Sequence, residues 1–351
     1  MQNPQEKVLV QFDVSEDRIS ILKITALWAF SESAFGGILH ALAIPFRGLF
    51  ISSAAVLFIS LIALFSKNSK EILKATLIVV LIKALVSPHS PIAAYLAVSL
   101  QGVLGFLLFS TKKFFRLSAL LLGLLVLFFS GIQKIVVLTI LFGNMLWESL
   151  DLFIEQVSSE IFRINHTDIN YGYVLIAVYV LLHLIAGLFI GLYAGRLPKK
   201  IDYYKNIIPS FFENKTGEEI HLKEKRKKRN WFLRPTGIFI IVLLAGVIII
   251  SYLSPELEDY IAISVVIMLL RSIVITVVWY LLLAPIATKL FQKFIAKRKS
   301  EYSKDLEIII SMFPKFKEIV NYCWKLSVDK KGYKRIRHFL SKSFYYLLLS
   351  K

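Results

Sequence analysis

Long apolar runs constrain the fold of this sequence more than any other feature. Within hydrocarbon, every backbone amide must be hydrogen-bonded inside its own helix or within a closed barrel. The runs lack the alternation of apolar and polar residues that barrel strands show, and several approach the roughly 20 residues that a spanning helix needs. They cover residues 49–65, 117–129, 174–192, 238–253 and 261–283. The sequence therefore predicts an all-α, polytopic integral membrane protein.

The basic residues lie mainly between the apolar runs. The chain of 351 residues is 56% hydrophobic and carries a formal charge of +18. A soluble protein with that charge would be a candidate for binding nucleic acid, but basic loops beside apolar spans follow the positive-inside rule. We therefore expect a partner that is a lipid bilayer rather than a nucleic acid, and a location in the bacterial cytoplasmic (inner) membrane.

Basic and acidic connections alternate along the chain. Connections at 66–74, 112–116, 196–234 and 289–299 are basic, whereas those at 148–168 and 256–259 are mostly acidic. The alternation predicts about eight transmembrane helices with both termini in the cytoplasm. Four parts follow from this map. They are a six-span module at 1–200, a basic cytoplasmic linker at 201–235, a two-span module at 236–290 and a cytoplasmic helical tail at 291–351.

The tail is too charged to span a membrane, yet it has apolar faces. One face carries Ile308, Ile309, Met312 and Phe316, and a second carries Phe339, Leu340, Phe344 and Leu347. This pattern predicts basic amphipathic helices that lie on the membrane surface or dock against a partner.

Ionisable residues inside predicted spans are costly and therefore mark candidate functional positions. Glu32 and His40 share one face of the first span. Lys83 lies near the end of the third span, where it can extend its amine to the interface. Arg271 lies deep in the eighth span, where pairing with a buried carboxylate such as Glu32 would satisfy it.

Polar residues near the outer ends of the first six spans suggest a binding site for a small polar or anionic molecule. Lys134 is the strongest candidate because it lies far from both ends of its span. We expect the substrate-binding residues to be Arg47, His89, Gln101, Gln133, Lys134 and Asn144.

Two helices carry small residues at every fourth position, which allows close approach of helix backbones. The first stripe is Thr25, Ala29, Ser33 and Gly37, and the second is Gly187, Gly191 and Gly195. Each stripe predicts a helix-packing interface, either within the chain or with a partner.

Motifs for nucleotide phosphates, catalytic zinc and the serine nucleophile elbow are missing from the sequence. The single cysteine, Cys323, excludes an intrachain disulfide. We therefore expect no catalytic residues, no metal and no cofactor, and energy for any transport must come from a partner or an ion gradient.

Residues 15–200 resemble the substrate-binding S components of energy-coupling factor (ECF) transporters. The resemblance rests on six spans, the first small-residue stripe, Pro45-Phe46-Arg47-Gly48, the segment Lys83 to Pro91, and Gln101-Gly102. It implies capture of a micronutrient at the outer face, and docking onto a transmembrane coupling subunit that works with cytoplasmic ATPases. The two C-terminal spans and the tail depart from the family pattern, and they lack the Ala-Arg-Gly motif of its coupling helices.

Two alternatives remain open at the level of sequence. One is a membrane enzyme or assembly factor that acts on a lipid, with Glu32, His40 and Lys134 as an internal polar site. The other is a membrane scaffold without a ligand, in which the small-residue stripes hold partner helices.

Overall fold

The computed structural model describes residues 16–36, 46–87, 90–111, 113–162, 169–205 and 261–349. All regular secondary structure in these ranges is helical, so the prediction of an all-α protein is confirmed for them. The predicted seventh span and most of the basic linker lie outside the described residues.

The described helices are numbered here in chain order. In the N-terminal part they are α1 (Glu16–Phe30), α2 (Arg47–Phe65), α3 (Lys70–Val86), α4 (Ile92–Phe109), α5 (Phe115–Phe142), α6 (Met145–Phe162), α7 (Tyr171–Gly195) and α8 (Leu197–Lys205). In the C-terminal part they are α9 (Ile261–Val278), α10 (Ala284–Glu301), α11 (Ser303–Lys325) and α12 (Gly332–Leu349). A π-helical turn, Ser31–Phe35, extends α1, and a second, Trp279–Leu283, joins α9 to α10.

Within the part of the chain that the structure describes, five helices are long and apolar enough to cross a membrane. They are Arg47–Phe65, Ile92–Phe109, Phe115–Phe142, Tyr171–Gly195 and Val266–Glu301. The apolar helix α3 is 17 residues long and packs against α1 and α4.

Helices α1 to α5 and α7 form one bundle, in which glycines at the helix contacts allow the helices to approach closely. Helix α1 packs against α2 and α3, α3 against α4, and α5 against both α2 and α7. Trp28, Ile59, Leu81 and Leu122, from four different helices, are fully buried in its core. We call the end that holds Lys74, Arg116 and Arg196 the basic end, and the opposite end the distal end.

The acidic connection after the fifth span is largely helical. A loop was expected there, but residues 145–162 form α6, since apolar residues recur with helical spacing at Leu146, Leu150, Phe153 and Val157. Gly143, with φ of +75°, provides the left-handed turn that ends α5. The indole N–H of Trp147 then donates to Thr139 Oγ1 at 3.0 Å and holds α6 against α5.

Helices α9 and α10 form one long helix. The apolar half packs against α5 and α6, and the basic half lies beside α3 and α4, where Phe291 contacts Tyr95 with ring centroids 4.4 Å apart. The π-helical turn precedes Pro285, whose missing N–H interrupts ordinary helical hydrogen bonding. The helix continues across the expected boundary between the two-span module and the tail, at residues 290 and 291, and ends at Glu301.

The tail packs on the bundle of its own chain. Helix α11 lies against α1 and α3, and α12 lies against α1 and α8. Ile309, Phe316 and Ile319 are buried in the same apolar core as the bundle residues, and Tyr345 stacks on Tyr204 with centroids 3.8 Å apart. The apolar faces that predicted a membrane surface or a partner therefore meet, in large part, the basic end of the bundle.

Candidate functional site: a buried ion pair between α1 and α3

A lysine and a glutamate form an ion pair inside the bundle. Lys83 Nζ, in the last turn of α3, donates to Glu32 Oε2 at 2.8 Å. The two side chains are only 7% and 3% exposed. The expectation that Lys83 extends to the membrane interface was therefore wrong, because a carboxylate on the neighbouring helix satisfies its charge within the protein.

Electrostatics explain why the two charges occur together. A single charge in an apolar interior loses its hydration and is strongly destabilising, whereas a paired charge recovers part of that loss. Removing either partner would leave the other charge buried and unsatisfied. The pair therefore fixes the contact between α1 and α3 as well as creating a polar point within it.

The pair leaves two neighbouring polar atoms without hydrogen bonds to other described residues. Glu32 Oε1 is buried, and so is Trp28 Nε1, one helical turn earlier on the same face of α1. The indole approaches the carboxylate without reaching hydrogen-bond geometry. An acceptor and a donor thus lie beside each other in an apolar environment, where both gain from a polar ligand.

Glu32 belongs to the π-helical turn of α1. The N–H of Gly36 donates to the carbonyl of Ser31, five residues earlier, and Ser33 Oγ donates to the carbonyl of Ala29. Single π-helical turns inside α-helices occur frequently at functional sites, because they widen the helix and redirect its side chains.

A second polar contact lies between α2 and α4. Gln101 Nε2 donates to Ser52 Oγ at 3.4 Å, while Gln101 Oε1 is buried without a hydrogen bond to described residues. Of the predicted binding residues, Gln101 is the one whose described side chain lies buried in the bundle.

The other described residues that were predicted to bind substrate are exposed or half-buried. Arg47, Lys134 and Asn144 are exposed at the start of α2, on α5 and after α5. Gln133 is half-buried and donates to the carbonyl of Ala93 at 3.4 Å. The structure records no hydrogen bond or ion pair among these side chains. His89 and His40 lie outside the described residues.

Arg271 does not pair with Glu32. Its guanidinium lies beside Gly143, where a Cβ would come within 2.6 Å of Nη1. Arg271 therefore belongs to the turn between α5 and α6, and the expected pairing was wrong because Lys83 already occupies the carboxylate.

The described residues of both small-residue stripes pack against other helices of the same chain. A Cβ on Gly187 would come within 2.6 Å of Gly123 O, and one on Gly191 within 2.8 Å of Leu120 Cα. Gly195 lies beside Arg116, so the second stripe is the contact surface of α7 with α5. In the first stripe, Thr25, Ala29 and Ser33 are buried in the bundle, and Gly37 lies outside the described residues.

One buried histidine, His183, is not among the residues predicted from the sequence. His183 on α7 is 1% exposed, and its ring packs beside Gly131 and Phe46. Phe46 has a left-handed backbone, with φ of +58°, and stacks on Tyr179 at 5.7 Å between centroids. A histidine within an apolar run was the available sequence cue. Within the described ranges, no group of three or more potential metal ligands is found.

A second charged cluster joins the tail to the basic end. Asp305, at the start of α11, is 5% exposed. Its Oδ1 accepts from Arg18 on α1 at 3.1 Å, and its Oδ2 lies 2.9 Å from Lys74 Nζ on α3. We call these three residues the Asp305 clasp. The clasp connects the tail to the same two helices that hold the buried ion pair.

Comparisons with known protein families, with functionally characterised proteins and with solved structures find no match to this chain.

Proposed function

We propose that this chain is a membrane-embedded, substrate-binding subunit for uptake of a small polar or anionic micronutrient, energised by a separate ATPase partner. The observation that carries the proposal is the Glu32–Lys83 pair inside an apolar bundle, with a buried indole N–H and a buried carboxylate oxygen beside it that approach each other without forming a hydrogen bond of full geometry. Burying an ionisable group at such a position is energetically unfavourable, so these groups are by default candidates for ligand or ion binding.

The ligand class follows from the groups that would meet it. Glu32 Oε1 accepts a hydrogen bond, Trp28 Nε1 donates one, and the Lys83 ammonium is a positive partner for a carboxylate or phosphate. The surrounding side chains are apolar, as in most sites for small organic ligands. A small molecule with both a donor and an anionic group matches this combination.

Helix α1 connects the proposed ligand site to the contact between the bundle and the tail. Glu32 lies near one end of it, and Arg18 of the clasp lies roughly 20 Å away at the other. A shift of α1 on ligand binding would change the contact between the bundle and the tail. Such a coupling requires two arrangements of the helix, each favoured by one state of the site.

The proposed topology has about eight spans, with a six-helix N-terminal module and two C-terminal spans. Both termini lie in the cytoplasm of a bacterial cell, and the tail faces a transmembrane coupling subunit and cytoplasmic ATPases. The alternation of basic and acidic connections supports this orientation.

The test is to purify the full chain in mild detergent and identify released small molecules by mass spectrometry. Wild type should retain a polar molecule that Trp28→Phe loses, because this change removes the indole N–H together with the pyrrole part of the ring. The matched control is Trp147→Phe, which loses the same atoms at the α5–α6 contact, where the indole N–H bonds to Thr139. Retention by Trp147→Phe, with loss by a Trp28→Phe protein that is still folded at the temperature of purification, supports the proposal.

Two outcomes contradict it. Equal retention by wild type and Trp28→Phe would separate the ligand from the ion pair. Recovery of only a phospholipid that is chemically altered during incubation would favour a membrane enzyme that acts on lipid.

A further inference from the structure

We propose that the turn between α11 and α12 inserts into the anionic headgroup layer of the bilayer that holds the protein. We call residues 324–340 the hairpin tip. Five large apolar or aromatic side chains here are between 46% and 76% exposed, although both flanking helices bury apolar faces. They are Trp324, Val328, Tyr333, Ile336 and Leu340.

The exposed side chains on α12 form a stripe. Tyr333, Ile336 and Leu340 have the spacing that places residues on one side of a helix. Tyr345 and Leu348, further along the same helix, are buried against the bundle and the rest of the tail. Helix α12 is therefore anchored by its C-terminal half and presents an apolar stripe from its N-terminal half.

The stripe is surrounded by positive charge. The tip contains six basic residues and one acidic residue, Asp329. The basic residues are Lys325, Lys330, Lys331, Lys334, Arg335 and Arg337. An apolar stripe flanked by Lys and Arg is the pattern of helices that lie in a membrane interface, and its charge complements anionic lipids.

Trp324 is held in place as a part of this surface. The guanidinium of Arg335 lies 4.2 Å from its ring centroid, and Phe339 packs edge-on at 5.1 Å. The indole nevertheless stays 46% exposed. Indole side chains are enriched at membrane interfaces, where they combine an apolar ring with a polar N–H.

The position of the tip favours lipid over a soluble acidic protein. The Asp305 clasp ties the start of α11 to the bundle, and Tyr345 on Tyr204 ties the end of α12. The tip is thus held within roughly 30 Å of the basic end of a membrane protein, because about 20 helical residues separate it from Asp305, and this tether keeps headgroups near it at high effective concentration.

The experiment uses the full chain in lipid nanodiscs, with Cys323→Ser removing the native thiol and Ile336→Cys carrying an environment-sensitive fluorophore. In discs of phosphatidylcholine mixed with phosphatidylglycerol, the emission should shift to the blue, and lipid-attached nitroxide should quench it. Discs of phosphatidylcholine alone should give the solvent-exposed signal. A label at Lys317→Cys, an exposed site on α11 outside the tip, is the matched control and should not change.

Neutralising three tip lysines provides the second measurement. Each basic residue near an anionic surface contributes about fivefold to association, so Lys330→Gln/Lys331→Gln/Lys334→Gln should reduce insertion by roughly two orders of magnitude. High salt should also reverse insertion, because it screens the charges. Emission that is the same in both lipid mixtures would overturn the proposal, and so would a shift that appears only when soluble cell extract is added.

Discussion

Lys83 Nζ lies 2.8 Å from Glu32 Oε2, and both side chains are more than nine-tenths buried. The lysine is on α3 and the glutamate is in the π-helical turn that follows α1, so the ion pair adds a polar link to the packing of two helices. The stabilisation belongs to the pair and not to either residue alone, because each buried charge is tolerated only in the presence of the other.

The first prediction concerns this dependence. Lys83→Met should destabilise the protein by about 3–5 kcal/mol, because it leaves a buried carboxylate without its cation. The double variant Glu32→Leu/Lys83→Met should lose much less than the sum of the two single changes. Thermal unfolding of the four proteins in one detergent gives the comparison, and additive losses would show that the charges do not interact.

The second prediction concerns the Asp305 clasp. Asp305→Asn removes the charge that Arg18 and Lys74 share, at a cost of about 1.5–3 kcal/mol for a charged hydrogen bond. The tail should open roughly ten to a hundred times more often, which can be read as faster alkylation of the buried Cys323. Glu307→Gln, an exposed change two residues further along α11, is the control. Equal rates for wild type and Asp305→Asn would show that the clasp does not hold the tail.

The third prediction concerns alkaline pH. Burial raises the pKa of the Cys323 thiol, although Ser343 and Lys342 partly offset the effect. The unfolded chain therefore releases this proton first, at a pH of about 8.5, and stability falls as the pH rises further. Wild type should lose thermal stability relative to Cys323→Ser between about pH 8 and pH 10. A constant difference across that range would contradict the prediction.

The fourth prediction concerns the contact between α5 and α7. Gly191→Val should lower the free energy of unfolding by at least about 1–3 kcal/mol or prevent stable folding, because the valine side chain would overlap the backbone at Leu120. Leu188→Val, on the exposed side of the same helix, should be tolerated. Monodispersity in detergent and thermal unfolding measure both, and a stable Gly191→Val protein would exclude this helix contact.

The fifth prediction concerns orientation. In a Cys323→Ser background, a cysteine at Asn144 should react with an impermeant thiol reagent added to intact cells, and one at Lys113 should react only after lysis. Both native side chains are exposed, so burial does not explain a difference. The reverse pattern would invert the topology derived from the basic connections.

The sequence predicted the class of fold because length, apolarity and charge along one chain determine whether a helix can span a bilayer. The close packing of α7 was also foreseeable, since Gly187, Gly191 and Gly195 leave room for a backbone. Helix α6 could have been read from the spacing of Leu146, Leu150, Phe153 and Val157, but the acidic residues among them suggested a loop.

The partners of the charged residues were not foreseeable. Position along a span gives the depth of Lys83, but not the helix towards which it points. The same limit applies to Lys134, which is deep in its span yet exposed on α5, and to Asp305, whose partners Arg18 and Lys74 lie more than two hundred residues away in sequence. Rotation of each helix about its axis is decided by packing with its neighbours.

The long helix of α9 and α10 has a mechanical consequence. Its stretch from Val266 to Glu301 is 36 residues, or roughly 54 Å, which exceeds the hydrocarbon thickness of about 30 Å. One end lies beside the α5–α6 turn at Arg271, and the other ends next to the Asp305 clasp. A tilt of such a rod by roughly 10° about its Arg271 end would move its other end by about 9 Å, so a small rotation at the α5–α6 turn would become a large displacement beside the tail.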